Sequence, residues 1–364
     1  MASFDHFRQR LRAQGAAPVH EERVLRRWLQ ARDQQGGRQA AEHFLPAAVR
    51  ADLPALLADL DGLARVQSEH PGEDGSARLL VALADGQTVE SVLMPPGRIP
   101  GLCVSTQVGC AVGCVFCMTG RSGLLRQLGS AEILAQVVLA RRRRPVRKVV
   151  FMGMGEPAHN LDAVMEAITA LGTLGGIGHK ELVFSTVGDA RVFERLPQGP
   201  VRPALALSLH STQADKRARL LPRAPRISPE ELVAAGECYA RATGHPIQYQ
   251  WTLIAGVNDG DDELHGIARL LDGRHAMMNL IPYNTTEAPD DAQWDGPPLQ
   301  RPDGERAAEM ARQLNRRGIY TRLRRSAGQD VDGGCGQLRA RVLHAEPGAH
   351  GAAVAPVRLL RRRQ

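Results

Sequence analysis

Three cysteines, Cys110, Cys114 and Cys117, stand in the run GCAVGCVFCMTG, three residues apart and then two. Three thiolates at this spacing can each take one iron of a [4Fe–4S] cube, so the segment is expected to close as a loop around a cluster. The fourth iron is then left without a protein ligand. An open metal position is where a small molecule can be bound and changed. The alternative is a structural zinc site with Cys103 as fourth ligand. Zinc sites usually pair CxxC units, and a triplet with unequal gaps departs from that habit.

The chain has 364 residues, of which 43% are hydrophobic, enough for one large α/β domain with appendages. Six cysteines, three of them clustered, point to a metal in a reducing compartment rather than a disulfide scaffold. The N-terminal MASFDHFRQRLRAQG has no apolar core of a signal peptide. No run approaches the ~18 apolar residues of a membrane span. A cytoplasmic protein with no membrane contact is expected. Lys and Arg exceed Asp and Glu by 46 − 39 = 7, nearly all of the positive charge being arginine, which suits a polyanionic partner. Aromatics are only 4%, which disfavours a surface built from stacking platforms.

Residues 1 to about 65 carry apolar residues at three- and four-residue intervals, as in VLRRWLQARD and AAVRADLPALLADLDGL, and read as helices. From about 64 to 95 the period falls to two on either side of the turn-rich PGEDGS, a hairpin pattern. Beyond residue 99 strands and helices alternate. The expected strands are 101–107, 148–152, 181–186, 204–210, 247–254 and 277–282, with a last one in IYTRLRR. Helices are expected over 130–143 and 160–174, and a third is opened by Ser228-Pro229-Glu230-Glu231, whose serine, proline and glutamate form a capping box. Six β/α units predict an α/β fold, a partial (β/α)6 barrel. The helical and hairpin accessory module would occupy 1–95, the barrel 96–318, and a C-terminal extension with a basic tail 319–364. A long Pro/Asp/Gly loop fills 285–304.

In such barrels chemistry gathers at the C-terminal ends of the strands. Glu156, Ser185, Thr186, Ser208, His210 and Asn284 fall at those ends here, and the cysteine loop follows the first strand. Two basic runs are candidate phosphate contacts, Arg141–Arg144 (with Arg147 and Lys148) and Arg361–Arg363 (with Arg358). The first ends a predicted helix, where positive charge is also favoured by the helix dipole.

The cysteine spacing is that of radical S-adenosylmethionine (SAM) enzymes. The runs LCVSTQVGCAVGCVFCMTG, VVFMGMGEP, LALSLH, NLIPYN and DVDGGCGQL together resemble the RlmN/Cfr family of radical-SAM RNA adenine methyltransferases. The likeness spans Glu90 to Leu338. It weakens in SAGQDVDGGC, where Gln329 holds a normally acidic position, and it is poor in the N-terminal module. The resemblance implies a [4Fe–4S] cluster on Cys110, Cys114 and Cys117, with SAM on the open iron. It implies SAM contacts at Gly155, Glu156, Ser185, Ser208, Leu209, His210 and Asn284, and a shielding role for Phe116.

The chemistry implied is a two-SAM route to C2 of adenine, in preference to C8, in ribosomal or transfer RNA. A first SAM methylates Cys335. A second, cleaved reductively at the cluster, gives a 5′-deoxyadenosyl radical that takes hydrogen from the S-methyl group, and the resulting carbon radical adds to the base. Glu90 removes the ring proton. Cys103 attacks the sulfur of Cys335, forming a transient disulfide and releasing the product. A reductant such as flavodoxin is implied.

Each residue also has a plainer reading. Cys103 could be a small buried hydrophobe, Cys335 a passive thiol between glycines, Glu90 an exposed strand carboxylate, Glu156 a solvated turn residue and His210 a satisfied core histidine. Cys238 falls on a predicted helix and reads as core. Two other functions remain open: an enzyme of the same architecture with another substrate, and a zinc-stabilised RNA-binding protein without turnover.

Overall fold

The computed structural model describes residues 2–36, 41–121, 123–284 and 294–324. Cys335, the basic tail and most of the Pro/Asp/Gly loop lie outside the described residues. Helices occupy most of the first 62 residues: Phe4–Ala13, Pro18–Leu29, Ala41–Phe44 and Ala47–Gly62. The strands that follow are β1 (Ala64–Pro71), β2 (Ala77–Leu83), β3 (Thr88–Leu93), β4 (Gly101–Cys103), β5 (Gln107–Gly109) and β6 (Leu124–Gln127). The second half contributes β7 (Lys148–Phe151), β8 (Leu182–Thr186), β9 (Ala204–Ser208), β10 (Ile247–Leu253), β11 (Ala276–Pro282) and β12 (Thr321–Leu323).

Ten of these strands form one sheet in the order β1-β2-β3-β4-β7-β8-β9-β10-β11-β12. From β4 to β12 every pair is parallel, which agrees with the expected α/β partial barrel: six strands and the added last one. Helices Ser130–Arg141, Leu161–Thr173, Pro229–Thr243 and Asp261–Leu271 follow β6, β7, β9 and β10. The capping box at Ser228 is formed: its Oγ accepts from the Glu231 N–H at 3.2 Å, and Glu231 accepts from the Ser228 N–H at 2.8 Å.

Two expectations change. The hairpin is the first half of a three-strand meander, because Asp85-Gly86 makes a second turn, with Gly86 at φ 82°. Asp-Gly between apolar runs is a strong hairpin signal. The expected strand 101–107 is two strands. Beyond Cys103 the backbone leaves the barrel sheet, and Ser105 gives its N–H to Gln136 Oε1 at 2.9 Å instead of to a neighbouring strand. Residues 107–109 then pair with β6 in a separate two-stranded sheet.

The accessory strands continue the barrel sheet, because β3 pairs antiparallel with β4, Val92 opposite Cys103. Gln136 and Ser105 knit this seam. Gln136 Oε1 accepts from Ser91 Oγ (2.8 Å), and Ser105 Oγ donates to the Glu90 carbonyl (2.6 Å) and accepts from the Met154 N–H (2.9 Å).

The arginines at 141–144 make contacts within the chain, while Arg142 and Arg143 remain exposed. Arg141 donates to the carbonyls of Leu29, Val146 and Gly175 at 2.8, 3.2 and 2.8 Å. Arg142 pairs with Asp61 and Arg143 with Glu69, while Arg144 reaches the carbonyls of Gly75 and Met94. The run therefore clamps the accessory module to the barrel. Arg141→Ala strips donors from three carbonyls and should lower unfolding free energy by about 2–4 kcal/mol. Arg142→Ala, which removes an exposed pair, should change it by less than about 1 kcal/mol. Denaturant titration of the two variants checks both, and equal losses would refute the distinction.

Candidate active site

Side-chain alternation along the strands builds the site. On the inner face of the barrel Val92 (β3), Cys103 (β4), Val150 (β7), Val183 (β8), Ala204 and Ala206 (β9) pack as one apolar cluster, with Met94 and Met152 against it. Two residues further along β8 and β9 the same face carries Ser185 and Ser208, both half-buried. Glu90 lies two residues from Val92 and so shares this face. It is buried, not exposed, and Arg78 Nη1 meets its Oε2 at 3.0 Å with both side chains 2% exposed. Removing either partner of such a buried pair would leave the other uncompensated. Across the barrel, register places Gln248, Gln250 and Thr252 of β10 and Asn279 of β11 on the same inner face. The first wall is mainly apolar and the opposite one richer in polar groups, with Met277 and Ile281 of β11 on its face as well.

The cysteine loop lies at the C-terminal mouth. Its path depends on Gly109, at φ 80°, where an added Cβ would come within 1.9 Å of the Gly123 carbonyl. Cys110, Val112 and Val115 pack with Val187, Leu220, Leu221, Ile254 and Tyr283. The loop is tied to the helix Ala214–Leu220 by the Val115 N–H on the Leu220 carbonyl (3.1 Å). Burial pushes the Cys110 thiol up to about 12 and also raises that of Cys114 well above its usual value. Buried thiols of this kind become thiolates when metal binds.

The loop's chemistry fits a cluster. The Cys110 sulfur accepts backbone N–H groups of Val112 and Gly113, the type of bond that stabilises cluster-bound sulfur. The charges of the three cysteines act on one another. No three His, Cys, Asp or Glu side chains among the described residues converge on a single metal ion. A cube, which takes one iron per thiolate, does not require them to.

The turn after β7 carries Gly155 at φ 107° and Glu156. Glu156 is buried. Its Oε1 accepts from the Ala158 N–H (3.1 Å) and its Oε2 from the Val187 N–H (3.0 Å), so it joins the turn to the end of β8. Burial outweighs these bonds and that from Thr186, pushing its carboxyl up to about 7. The Glu156 N–H donates to Gln107 Oε1 (2.7 Å), and Gln107 Nε2 donates to Gln127 Oε1 (2.8 Å). This amide relay links the β5–β6 sheet to the turn, and no sequence pattern announced it.

At Gly155 a Cβ would sit 2.7 Å from Gln107 Cβ and 2.8 Å from Thr106 Oγ1, on a backbone that L residues avoid. Gly155→Ala should destabilise the turn by about 1–3 kcal/mol and, on the expectation that this turn seats SAM, weaken SAM binding about tenfold or more. Gly178→Ala, with nothing within 4 Å, should leave SAM affinity unchanged. Equilibrium binding of SAM to both variants checks the pair.

His210 has φ 59° and is buried. Its Nδ1 accepts from the Thr252 N–H at 2.9 Å, and its ring centroid is 4.7 Å from that of Phe116. Desolvation, then the charge of Arg217, push it down to about 3, so it is neutral and carries its proton on Nε2. Leu209 is buried and gives its N–H to the Gln250 carbonyl (3.1 Å). Asn284, after β11, accepts from Arg301 Nη1 at 3.0 Å. Cys238 is exposed on its helix, contrary to the core reading.

The structure therefore gathers the cysteine loop, Gly155, Glu156, Ser185, Ser208, Leu209 and His210 at one mouth, with Glu90 and Cys103 below them on the inner wall. Cys335 lies outside the described residues. Arg78, Gln107 and Arg217 are additions. Only the alternation of Arg78 with Leu80 in β2 gave any signal for them, placing Arg78 on the face of Glu90.

The sequence profile of the Radical SAM superfamily matches residues 104–271. A protein of Leptothrix cholodnii named "Probable RNA methyltransferase" is 69% identical over 353 residues, 97% of this chain and 98% of that one. A similarly named protein of Methylibium petroleiphilum is 71% identical over 339 residues, 93% of each chain. A solved radical SAM methyltransferase from Sphaerobacter thermophilus superposes with a TM-score of 0.78 at 35% identity, covering 92% of this chain and 97% of that one. No helix among the described residues is long and apolar enough to cross a membrane.

Proposed function

Because the chain belongs to the radical-SAM family of RNA methyltransferases, we propose that it methylates a ring carbon of an adenine in ribosomal or transfer RNA, C2 in preference to C8, by way of an S-methylcysteine at Cys335. The observation that carries this reading is the inner wall itself. Cys103 stands directly opposite Val92, with Glu90 two residues along the same face, beneath the cluster loop. A methyl-carrying sulfur, a resolving thiol and a base are what this transfer needs, and two of the three share one wall.

The cluster and SAM supply, when bound, the methyl group and a carbon-centred radical that can take hydrogen from it. Cys110, Cys114 and Cys117 hold the cluster. Gly155, Glu156, Ser185, Ser208, Leu209, His210 and Asn284 seat SAM, and the Phe116 ring against His210 keeps water from the cluster. The polar wall of Gln248, Gln250, Thr252 and Asn279 offers donors and acceptors to the edges of a base. Glu90, paired with Arg78, takes the ring proton. Once the adduct has given its unpaired electron back to the oxidised cluster, the Cys103 thiolate attacks the sulfur of Cys335, forming a disulfide, and the base leaves with the bonding pair and takes up a proton to complete its methyl group. Two electrons from a reductant such as flavodoxin restore the thiols. The site works in the cytoplasm, where such reductants are found.

Mass spectrometry of nucleosides from total RNA tests this, in a host lacking such an enzyme and with or without this gene. A new 2-methyladenosine signal is expected. The absence of any new methyladenosine, from protein shown to carry its cluster, would overturn the substrate.

A further inference from the structure

We propose that Arg217 is a positioning residue for the cluster's electron: a fixed, buried positive charge beside Cys114 that makes the cluster easier to reduce. The inference rests on the seating of the cluster at Cys110, Cys114 and Cys117. Arg217 is 3% exposed, on the helix Ala214–Leu220 to which the cysteine loop is tied. One turn further on, the Leu220 carbonyl receives the Val115 N–H, and Arg223 gives its own N–H to the Val112 carbonyl at 3.2 Å. The Arg217 guanidinium cannot swing away. Its Nη2 donates to the carbonyl of Val187, after β8, and to that of Ser208, at the end of β9 (3.3 Å).

Both of those partners are neutral carbonyls, so no carboxylate cancels the charge through a hydrogen bond. Nε is buried and has no partner among the described residues. Leaving such a group unpaired costs about 1–3 kcal/mol, which a side chain kept only for packing would not need to carry. Burial pulls the guanidinium down to about 10, still protonated at neutral pH, and its charge is felt by Cys114, Glu156 and His210. Arg223 also stands near the loop but is exposed to water, where its field is screened; Arg121, on the short helix after Cys117, is half-buried with its Nε buried.

A [4Fe–4S] cluster on three thiolates gains one negative charge when reduced. A positive charge held in a low-dielectric site favours that state, and at a distance of several Å the effect exceeds tenfold. Arg217 therefore acts through its field and not by touching the cofactors.

The test is an electron paramagnetic resonance titration of the SAM-free, cluster-loaded full chain. At a fixed applied potential, Arg217→Met should lower the ratio of reduced to oxidised cluster by about tenfold or more, equal to 59 mV for one electron. Arg217→Lys, which keeps the charge, should stay within about threefold of the parent. An unchanged ratio in Arg217→Met, or a shift in Arg217→Lys as large as that in Arg217→Met, overturns the proposal. Should Arg217→Met fail to fold, Arg217→Lys decides alone: a tenfold shift there refutes a role for charge. Iron and sulfide content, measured on each protein, separates failure of this proposal from failure of the cluster assignment. A purely structural brace of β8 and β9 would change stability and leave the charge-retaining and charge-removing variants alike in potential.

Discussion

Cys110→Ala will come out of anaerobic reconstitution without a stable cluster, and Cys335→Ala will come out with a full one, yet both will lose turnover by about 10³-fold or more. The two losses have different origins. Cys110 is a buried sulfur in the apolar seat of the cluster loop, bonded by the Val112 and Gly113 amides. Removing it leaves two cysteines to hold an iron–sulfur cube and opens a second iron. Cys335 is assigned to carry the methyl group, so its loss leaves binding and reduction in place and takes away the acceptor. Iron and sulfide analysis, the paramagnetic signal of the reduced cluster and methyl transfer to RNA separate the cases. RNA methylated by the Cys335→Ala protein would end the two-cysteine route. A full cluster in Cys110→Ala would end the assignment of the loop.

SAM will bind more tightly as pH rises toward 7, by up to about tenfold per pH unit, and will level off above it. The cause is Glu156, whose carboxyl is raised from 4.5 to about 7 chiefly by burial. Below that value the free site holds a neutral acid. SAM brings a sulfonium and an ammonium, and positive charge favours the carboxylate, so binding expels a proton there. The sign for stability is the reverse. A carboxyl with a raised pKa binds more protons folded than unfolded, so between about 4.5 and 7 its contribution to the folded state falls as pH rises. Calorimetry of SAM binding in buffers of different ionisation enthalpy measures the protons released. Release near pH 6 should approach one per SAM and disappear in Glu156→Gln. Proton uptake, or affinity flat from pH 6 to 8, would remove Glu156 from the SAM site.

What could be read from the chain was local. Period-two runs located the antiparallel hairpin, the alternation of strand and helix segments beyond residue 99 located the parallel strands, Ser228 announced its helix, and the spacing of Cys110, Cys114 and Cys117 identified the loop that meets the cofactor. What could not be read was long-range. Residues 101–107 looked like one strand because Ser105 is β-compatible in isolation. Only Gln136, 31 residues away, takes its N–H and turns the chain out of the sheet. Glu90 looked exposed because its partner, Arg78, is on the preceding strand and the pair is buried by a sheet the local pattern does not contain. The arginines at 141–144 had the composition of a phosphate site, and their actual acceptors are carbonyls and carboxylates at Leu29, Asp61, Glu69 and Gly75. Arg217 carried no signal, since a single basic residue on a short helix resembles any solvated one.

The order of strands in the large sheet is also their order in the chain, apart from the two that form the small sheet. No strand is inserted between two made earlier, so each one synthesised finds its partner already present at the growing edge. The meander β1–β3, joined by short turns, can close as soon as it leaves the ribosome, because neighbouring contacts need little loop closure. It then provides the template edge for β4, and β4 for β7. Translation in this protein can therefore proceed as assembly from one side. A chain begun at β4 would lack its first template and present a bare apolar edge to other nascent chains.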